Sequence, residues 1–300
     1  MIEAIVTAPP YAPYLGEVVR HPLVTGLRLN TIMPVKGGPE EAFDRLGGWG
    51  VPLWVDLKGR QLRVAEPAIP PYTSLRVSHE VEVETPATVY LADGREKATV
   101  AAVDGDRLIL SDGPRRIIGP GESVNIVHPS LRVRGTLTPE DRGYLSAMKG
   151  LGHRRAMLSF VENENDVHEV ERLLPDVELL LKIESERGLA FARRSRARLG
   201  HLVAGRGDLF VEVGRPHRIV GALRSVISCD SEAWVASRLF ESLARSPVPS
   251  LSDIADVAFL LALGYRRFVL GDVVCFDRNA VLASLDLLQA IAEEHDGMLA

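Results

Sequence analysis

The chain lacks the features that mark several large classes of protein. It has two cysteines, Cys229 and Cys275, far apart and without CxxC spacing, so neither a disulfide framework nor a thiolate zinc site is indicated. It has no basic excess: the formal net charge of −5 argues against a nucleic-acid binder, whose footprint is usually basic. It has no long apolar run; stretches such as VAFLLALGY at 257–265 are too short to cross a bilayer. The opening stretch MIEAIVTAPPYAPY carries Glu3 where a secretory signal carries positive charge. The eight histidines form no HExxH spacing, and there is neither an internal repeat nor a low-complexity tract. The expectation is a soluble, cytoplasmic protein with no nucleic-acid or membrane partner.

What is present is enough for one large core. The 300 residues are 46% hydrophobic and 25% charged, and α/β barrels often reach this length as one domain. Short β-rich apolar runs at 3–8, 26–31, 52–57, 155–159, 177–182, 200–205, 232–236 and 266–271 read as eight strands. Helical periodicity falls between them at 39–48, 138–150, 163–174, 186–198, 216–228, 251–263 and 278–294. TPEDRGYLSAM at 138–148 opens with a T-x-x-D variant of the capping box and Pro139 at the first helical position. Strand–helix units in series predict a TIM-type (β/α)8 barrel.

One region breaks this rhythm. Residues 68–133 carry Val, Thr, Ile and Tyr punctuated by ADG, VDGD and SDGP, which reads as an antiparallel module with Asp-Gly turns. The predicted organisation is a barrel of residues 1–66 and 134–300 with a small antiparallel β-barrel lid, 67–133, inserted after strand 3. EPAIPPY at 66–72 forms a stiff entry.

Barrel active sites lie at the C-terminal ends of the strands. The polar residues there are Arg28 and Asn30, Asp56 and Lys58 with Arg63 just beyond, Ser159, Lys182 and Glu184, Arg206 and Asp208, and Ser237. Lys182 and Glu184 stand two residues apart, so on an extended chain they share a face. Cations facing carboxylates around one rim suit an anionic substrate held through a divalent metal. Mg2+ typically takes one or two protein carboxylates and fills its shell with water and substrate oxygens; Glu184 and Asp208 are the natural pair. In GRGDLF (205–210) glycines flank Arg206, leaving backbone amides free for an anion.

The motifs VDLKGRQLR (55–63), LSFVENENDVHEV (158–170), LLLKIESERG (180–189), VAGRGDLFVEV (203–213) and VASRLFESL (235–243) resemble pyruvate kinase, in that order. IVTAPP (5–10), GLRLN (26–30) and PSLSDIADVAFLLALG (249–264) are similar to further segments of that family, so the likeness spans most of the chain. The resemblance implies a (β/α)8 barrel with a β-rich lid, and Mg2+ (or Mn2+) on Glu184 and Asp208. It implies phosphate binding by Arg28 and Arg63, charge stabilisation by Lys182, and carboxylate binding by the amides of Gly207 and Asp208. Ser237 matches the threonine near the protonated carbon. Asn30, Lys58, Arg206 and Ser159 complete the expected substrate-binding set. No counterpart of the family's C-terminal domain is seen, and a monomer or dimer is expected in place of its tetramer.

The departures cluster. Ile32 and Leu57 stand where the family's potassium ligands would be, and Gln61 replaces the glutamate that makes that ion necessary. No K+ is expected, with Arg60 as a source of replacement charge. Met33 replaces a histidine, GPGESVN (119–125) lacks a lid lysine, Phe210 replaces a glycine, Arg238 replaces a glutamine, and LGDVV lacks the last-strand SGE motif. The leading expectation is an Mg-dependent enzyme acting on a phosphoenolpyruvate- or pyruvate-type acid, with phosphoryl transfer to or from ADP/ATP. The alternatives are an enolate-stabilising decarboxylase or aldolase on a 2-oxo acid, and a non-catalytic metabolite-binding homologue.

Overall fold

The computed structural model describes residues 2–70, 74–113 and 115–299. Eight parallel strands close a barrel: β1 (Glu3–Thr7), β2 (Val24–Asn30), β3 (Leu53–Leu57), β4 (Arg155–Leu158), β5 (Glu178–Ile183), β6 (His201–Gly205), β7 (Trp234–Ala236) and β8 (Arg267–Leu270). Each runs beside its sequence neighbours, and β8 pairs with β1. All eight expected strands are present, with ends shifted by no more than a turn residue or two. Among the described residues no helix is long and apolar enough to cross a membrane.

Strand alternation sorts the side chains. Leu179, Leu181 and Ile183 point outward into the main core under the helices. Leu180 points inward with Ile5, Trp54, Met157, Val203, Trp234 and Val269, which fill the barrel interior. Two residues further along five of these strands, the inward positions become Thr7, Asp56, Ser159, Lys182 and Gly205. The period of two along an extended chain therefore stacks a polar layer on an apolar plug, and that layer is the cleft floor.

The helix Pro139–Leu151 starts as the sequence predicts: Thr138 and Asp141 form a reciprocal capping box. The buried Asp141 also accepts from the Lys58 amide at 2.8 Å and the Gly59 amide at 3.1 Å, fixing the chain where it leaves β3. Helix 186–198 stops at Ser195 because Arg196 and Ala197 are left-handed, with φ of 46° and 56°. A helix at Arg206–Glu212 follows β6 directly.

The lid strands Ser74–Arg76, Arg107–Asp112, Glu96–Asp104, Ala87–Leu91 and Val124–Ile126 form a five-stranded antiparallel half-barrel. Val81–Glu82 and Arg132–Val133 form a two-stranded ladder. The lid has its own apolar cluster, which takes in Leu62 and Val64 as well as Leu75, Val89, Val100, Leu108 and Ile126. Positions 71 and 72 of the predicted stiff entry lie outside the described residues.

Candidate active site

A cleft of about 630 Å3 opens between the C-terminal ends of the barrel strands and the lid, within the size range of small-molecule sites. On its floor the buried Lys182 ammonium lies 2.9 Å from Ser159 Oγ, 3.3 Å from Asp56 Oδ1 and 3.2 Å from Glu184 Oε1. Asp56 is shared with Arg28, whose Nη2 is 2.6 Å away, and Arg28 Nη1 reaches Asp272 at 3.0 Å and the Thr7 hydroxyl at 2.8 Å. Asn30 donates to the other Asp272 oxygen at 2.7 Å. The floor is thus a row of alternating charge: Asp272, Arg28, Asp56, Lys182, Glu184.

The protonation states follow from this row. Burial works against the charged form of Lys182, but Asp56 and Glu184 outweigh it and hold the ammonium above its ordinary value. Burial likewise opposes ionised Asp56, and Lys182 and Arg28 outweigh it, so the carboxyl is depressed. Glu184 differs. Burial raises its carboxyl, Lys182 only partly offsets this, nearby Asp208 raises it further, and it reaches about 7.

Glu184 Oε2 accepts from the Phe160 amide at 3.0 Å. A Cβ on Gly205 would lie 2.5 Å from Glu184 Cγ and 2.6 Å from Oε1, so only glycine leaves room for this carboxylate. Asp208 accepts from two side-chain amides, Gln61 Nε2 at 2.7 Å and Asn125 Nδ2 at 3.1 Å. The same Asn125 nitrogen donates to Glu212 at 3.0 Å. Two oriented carboxylates, one raised to about 7 by burial and then by the neighbouring Asp208 charge, suit a divalent cation. Among the described residues no cluster of three or more His, Cys, Asp or Glu side chains forms a cage; a pair fits an ion such as Mg2+, which keeps most of its shell for water and substrate.

Arg28, Asn30, Arg63, Lys182, Glu184, Gly207, Asp208 and Ser237 all line the cleft. Arg63 holds the Gln61 side-chain oxygen and the Gly121 carbonyl of the lid. Ser159 sits beneath, on Lys182. Two substrate-binding expectations are corrected. Lys58 is turned away, its ammonium paired with Glu140, because Asp141 fixes its backbone. Arg206 is buried: Nη1 grips Asp256 at 2.7 Å, and Nε and Nη2 hold the Ser237 carbonyl at 3.0 and 2.7 Å. It braces the left-handed Ser237 (φ 73°) and has no reach toward a ligand. Arg60 supplies no charge to the cleft either, since it bonds Asp166, Val133 O and Thr136. Leu57 is fully buried and Ile32 lines the cleft.

Sequence reasoning missed two participants, Asp272 and Asn125, and gave Gln61 only as a replaced glutamate. Asp272 lies two residues beyond the end of β8, so the rule that found the other strand-end residues applied to it as well. Asn125 and Gln61 orient Asp208, and no sequence pattern announced that role.

The described residues thus define a (β/α)8 barrel with an inserted lid and a lysine–carboxylate floor. Comparison with known proteins gives the family. Residues 72–265, more than half of the chain, match the family model "Pyruvate kinase, barrel domain", and the chain belongs to the pyruvate kinase family. It is 25% identical over 222 residues to a pyruvate kinase of Borreliella burgdorferi, covering 71% of this chain and 46% of that protein. With a pyruvate kinase of Methanocaldococcus jannaschii it shares 22% over 295 residues, covering 91% and 65%. A crystal structure of a pyruvate kinase from Cryptosporidium parvum shares the fold, with a TM-score of 0.78 at 19% identity over 98% of this chain and 69% of that one. The chain spans between a third and two thirds of the length of such curated relatives.

Proposed function

We propose that this chain is an Mg-dependent, pyruvate kinase-like phosphotransferase that binds phosphoenolpyruvate or pyruvate on the cleft floor and exchanges a phosphoryl group with a nucleoside diphosphate. The observation that carries this reading is the buried Lys182 ammonium held among Asp56, Ser159 and Glu184. Phosphoryl transfer is mostly positioning and charge stabilisation, and an ammonium that two carboxylates hold in place and keep charged is the group it needs.

Arg28 and Arg63 hold the phosphoryl oxygens, and the amides of Gly207 and Asp208 receive the substrate carboxylate. The P–O bond to the enol oxygen breaks while one to the acceptor's terminal phosphate oxygen forms, and the enolate left behind takes a proton at its third carbon. Lys182 faces the charge that builds on the enol oxygen. Ser237, fixed by Arg206, is the hydroxyl placed to carry the proton in. Glu184 and Asp208 would hold Mg2+, which supplies Lewis-acid polarisation of the substrate oxygens.

Calorimetric titration with oxalate, an enolate mimic, tests the floor. Binding that requires MgCl2 and disappears in Glu184→Gln is expected, together with pyruvate release from phosphoenolpyruvate and ADP in a coupled assay. Oxalate binding that is equal in EDTA, or absent, overturns the reading.

A further inference from the structure

We propose that the outer rim of the cleft is a second anion subsite, formed by Arg95 of the lid and Arg238 of the barrel. It receives a carboxylate or phosphate lying beyond the three-carbon unit on the floor. This deepens the proposed function and rests on its assignment of the floor.

Space is the first argument. A phosphorylated three-carbon acid has about ten heavy atoms; allowing each the share of one water in the liquid, about 30 Å3, it fills roughly half of the 630 Å3 cleft. The remaining space has room for another part of the substrate, or for its co-substrate.

Charge is the second. On the floor Arg28 and Lys182 each have two carboxylate partners. On the rim, Arg95 and Arg238 line the same cleft, and among the described residues neither makes an ion pair. Of the carboxylates nearby, Asp93 accepts from the Ser123 hydroxyl at 2.8 Å, and Glu241, also lining the cleft, is beyond ion-pair distance of both arginines.

Construction is the third. Ser237 and Arg238 are consecutive left-handed residues, with φ of 73° and 58°, a conformation that costs non-glycine residues energy and collects at functional sites. The Arg238 guanidinium lies over the Phe210 ring, 5.0 Å from its centroid, and Nη2 donates to the Asp93 carbonyl at 3.3 Å. Stacking on an aromatic face immobilises the plane and leaves edge N–H groups for a bidentate anion. From the lid side, Ala92, Asp93 and Gly94 are all left-handed, with φ of 51°, 57° and 85°. A Cβ on Gly94 would lie 2.8 Å from Val211, so the turn is pressed onto helix Arg206–Glu212 and delivers Arg95 to the cleft. Two strained backbones bring two unpaired guanidiniums to one cavity.

The second anionic group has two sources, the acid itself or the phosphate chain of the acceptor, and calorimetry separates them. In MgCl2, wild type and the double variant Arg95→Gln/Arg238→Gln are titrated with oxalate, which fills the floor alone, with oxaloacetate and 2-oxoglutarate, and with inorganic tripolyphosphate. Both arginines are exposed, so the variant is expected to unfold at the wild-type temperature. Oxalate should bind both proteins within twofold, while the dicarboxylates or tripolyphosphate lose tenfold or more in the variant. Loss confined to the dicarboxylates assigns the group to the acid, and loss confined to tripolyphosphate assigns it to the acceptor. The subsite is refuted if wild type and variant bind all the larger anions alike, if wild type binds none of them, or if oxalate weakens as much as they do. If wild type fails to bind oxalate, the floor assignment falls while tripolyphosphate still judges the rim.

Discussion

The floor and the rim of the cleft share a cavity but are built by opposite rules. On the floor Asp56, Lys182 and Glu184 are buried and Arg28 and Asp272 half-buried; each charge comes from a strand end and touches its opposite. On the rim the arginines are exposed, come from strained turns, and touch an aromatic ring, a carbonyl or nothing charged. A buried charge left alone is far costlier than an exposed one, so the floor is constrained by folding as well as by chemistry. The rim is free to vary with the ligand. Pre-organisation belongs to the barrel and selectivity to the side the lid reaches.

This contrast is broken most severely at Lys182. Lys182→Met should lower kcat by about a thousandfold, in the range for loss of one transition-state contact, while Mg2+ and phosphoenolpyruvate still bind; an equal loss of Mg2+ binding and turnover would mean the lysine only holds the floor together. Next comes Gly205→Ala, whose methyl would collide with Glu184. Mg2+-dependent oxalate affinity should fall by about a hundredfold, and an unchanged titration would remove Glu184 from the metal site. Asn125→Ala cuts the lid's bond to Asp208 and should weaken Mg2+ by about tenfold, the lower bound for loss of a partner that orients a ligand; the floor's own pairs stay intact, so thermal stability should move little.

Glu212 offers a gentler probe of the lid side. Burial raises its carboxyl to about 8, against the pull of Asn125 and with help from Asp208. The folded protein therefore holds a proton that the unfolded chain releases near the ordinary carboxyl value. This contribution is complete below that value and is lost as pH rises through about 8. In metal-free protein it lowers stability by up to about 1.4 kcal/mol per pH unit across the window. Urea melts of Glu212→Gln should show this part of the slope flattened; an identical slope would mean the carboxyl is ionised in the folded state. The smallest effect is expected from potassium. Ile32 and Leu57 offer no oxygen ligands, so adding KCl to a sodium-free assay should change activity less than twofold, and a several-fold rise would revise the reading of those positions.

Much of the floor could be read from the sequence because it depends on local geometry. Lys182 and Glu184 share a face by the two-residue period alone, and Thr138 to Asp141 spells a helix cap. Long side chains failed that kind of reading. Lys58 and Arg206 sit at strand ends as expected, yet Glu140, which pairs Lys58, and Asp256, which pairs Arg206, decide where their charges go; both partners lie on helices remote in sequence. Asp272 was hidden by an expectation: comparison with a motif registered what LGDVV lacked and overlooked the carboxylate it supplies. Asn125 depends on lid register, which Asp-Gly turns outline without fixing.

The row from Asp272 to Glu184 draws its five members from the ends of four strands, and each interior member is shared by two neighbours of opposite sign. Its history of substitution should therefore be coordinated. Replacing Asp56 alone would leave Arg28 and Lys182 facing each other across a neutral gap. Exchanging it together with one of those cations would restore alternation with two fewer charges. Variants that survive selection at these positions are thus expected as matched pairs, even where the two residues lie more than a hundred positions apart in the chain.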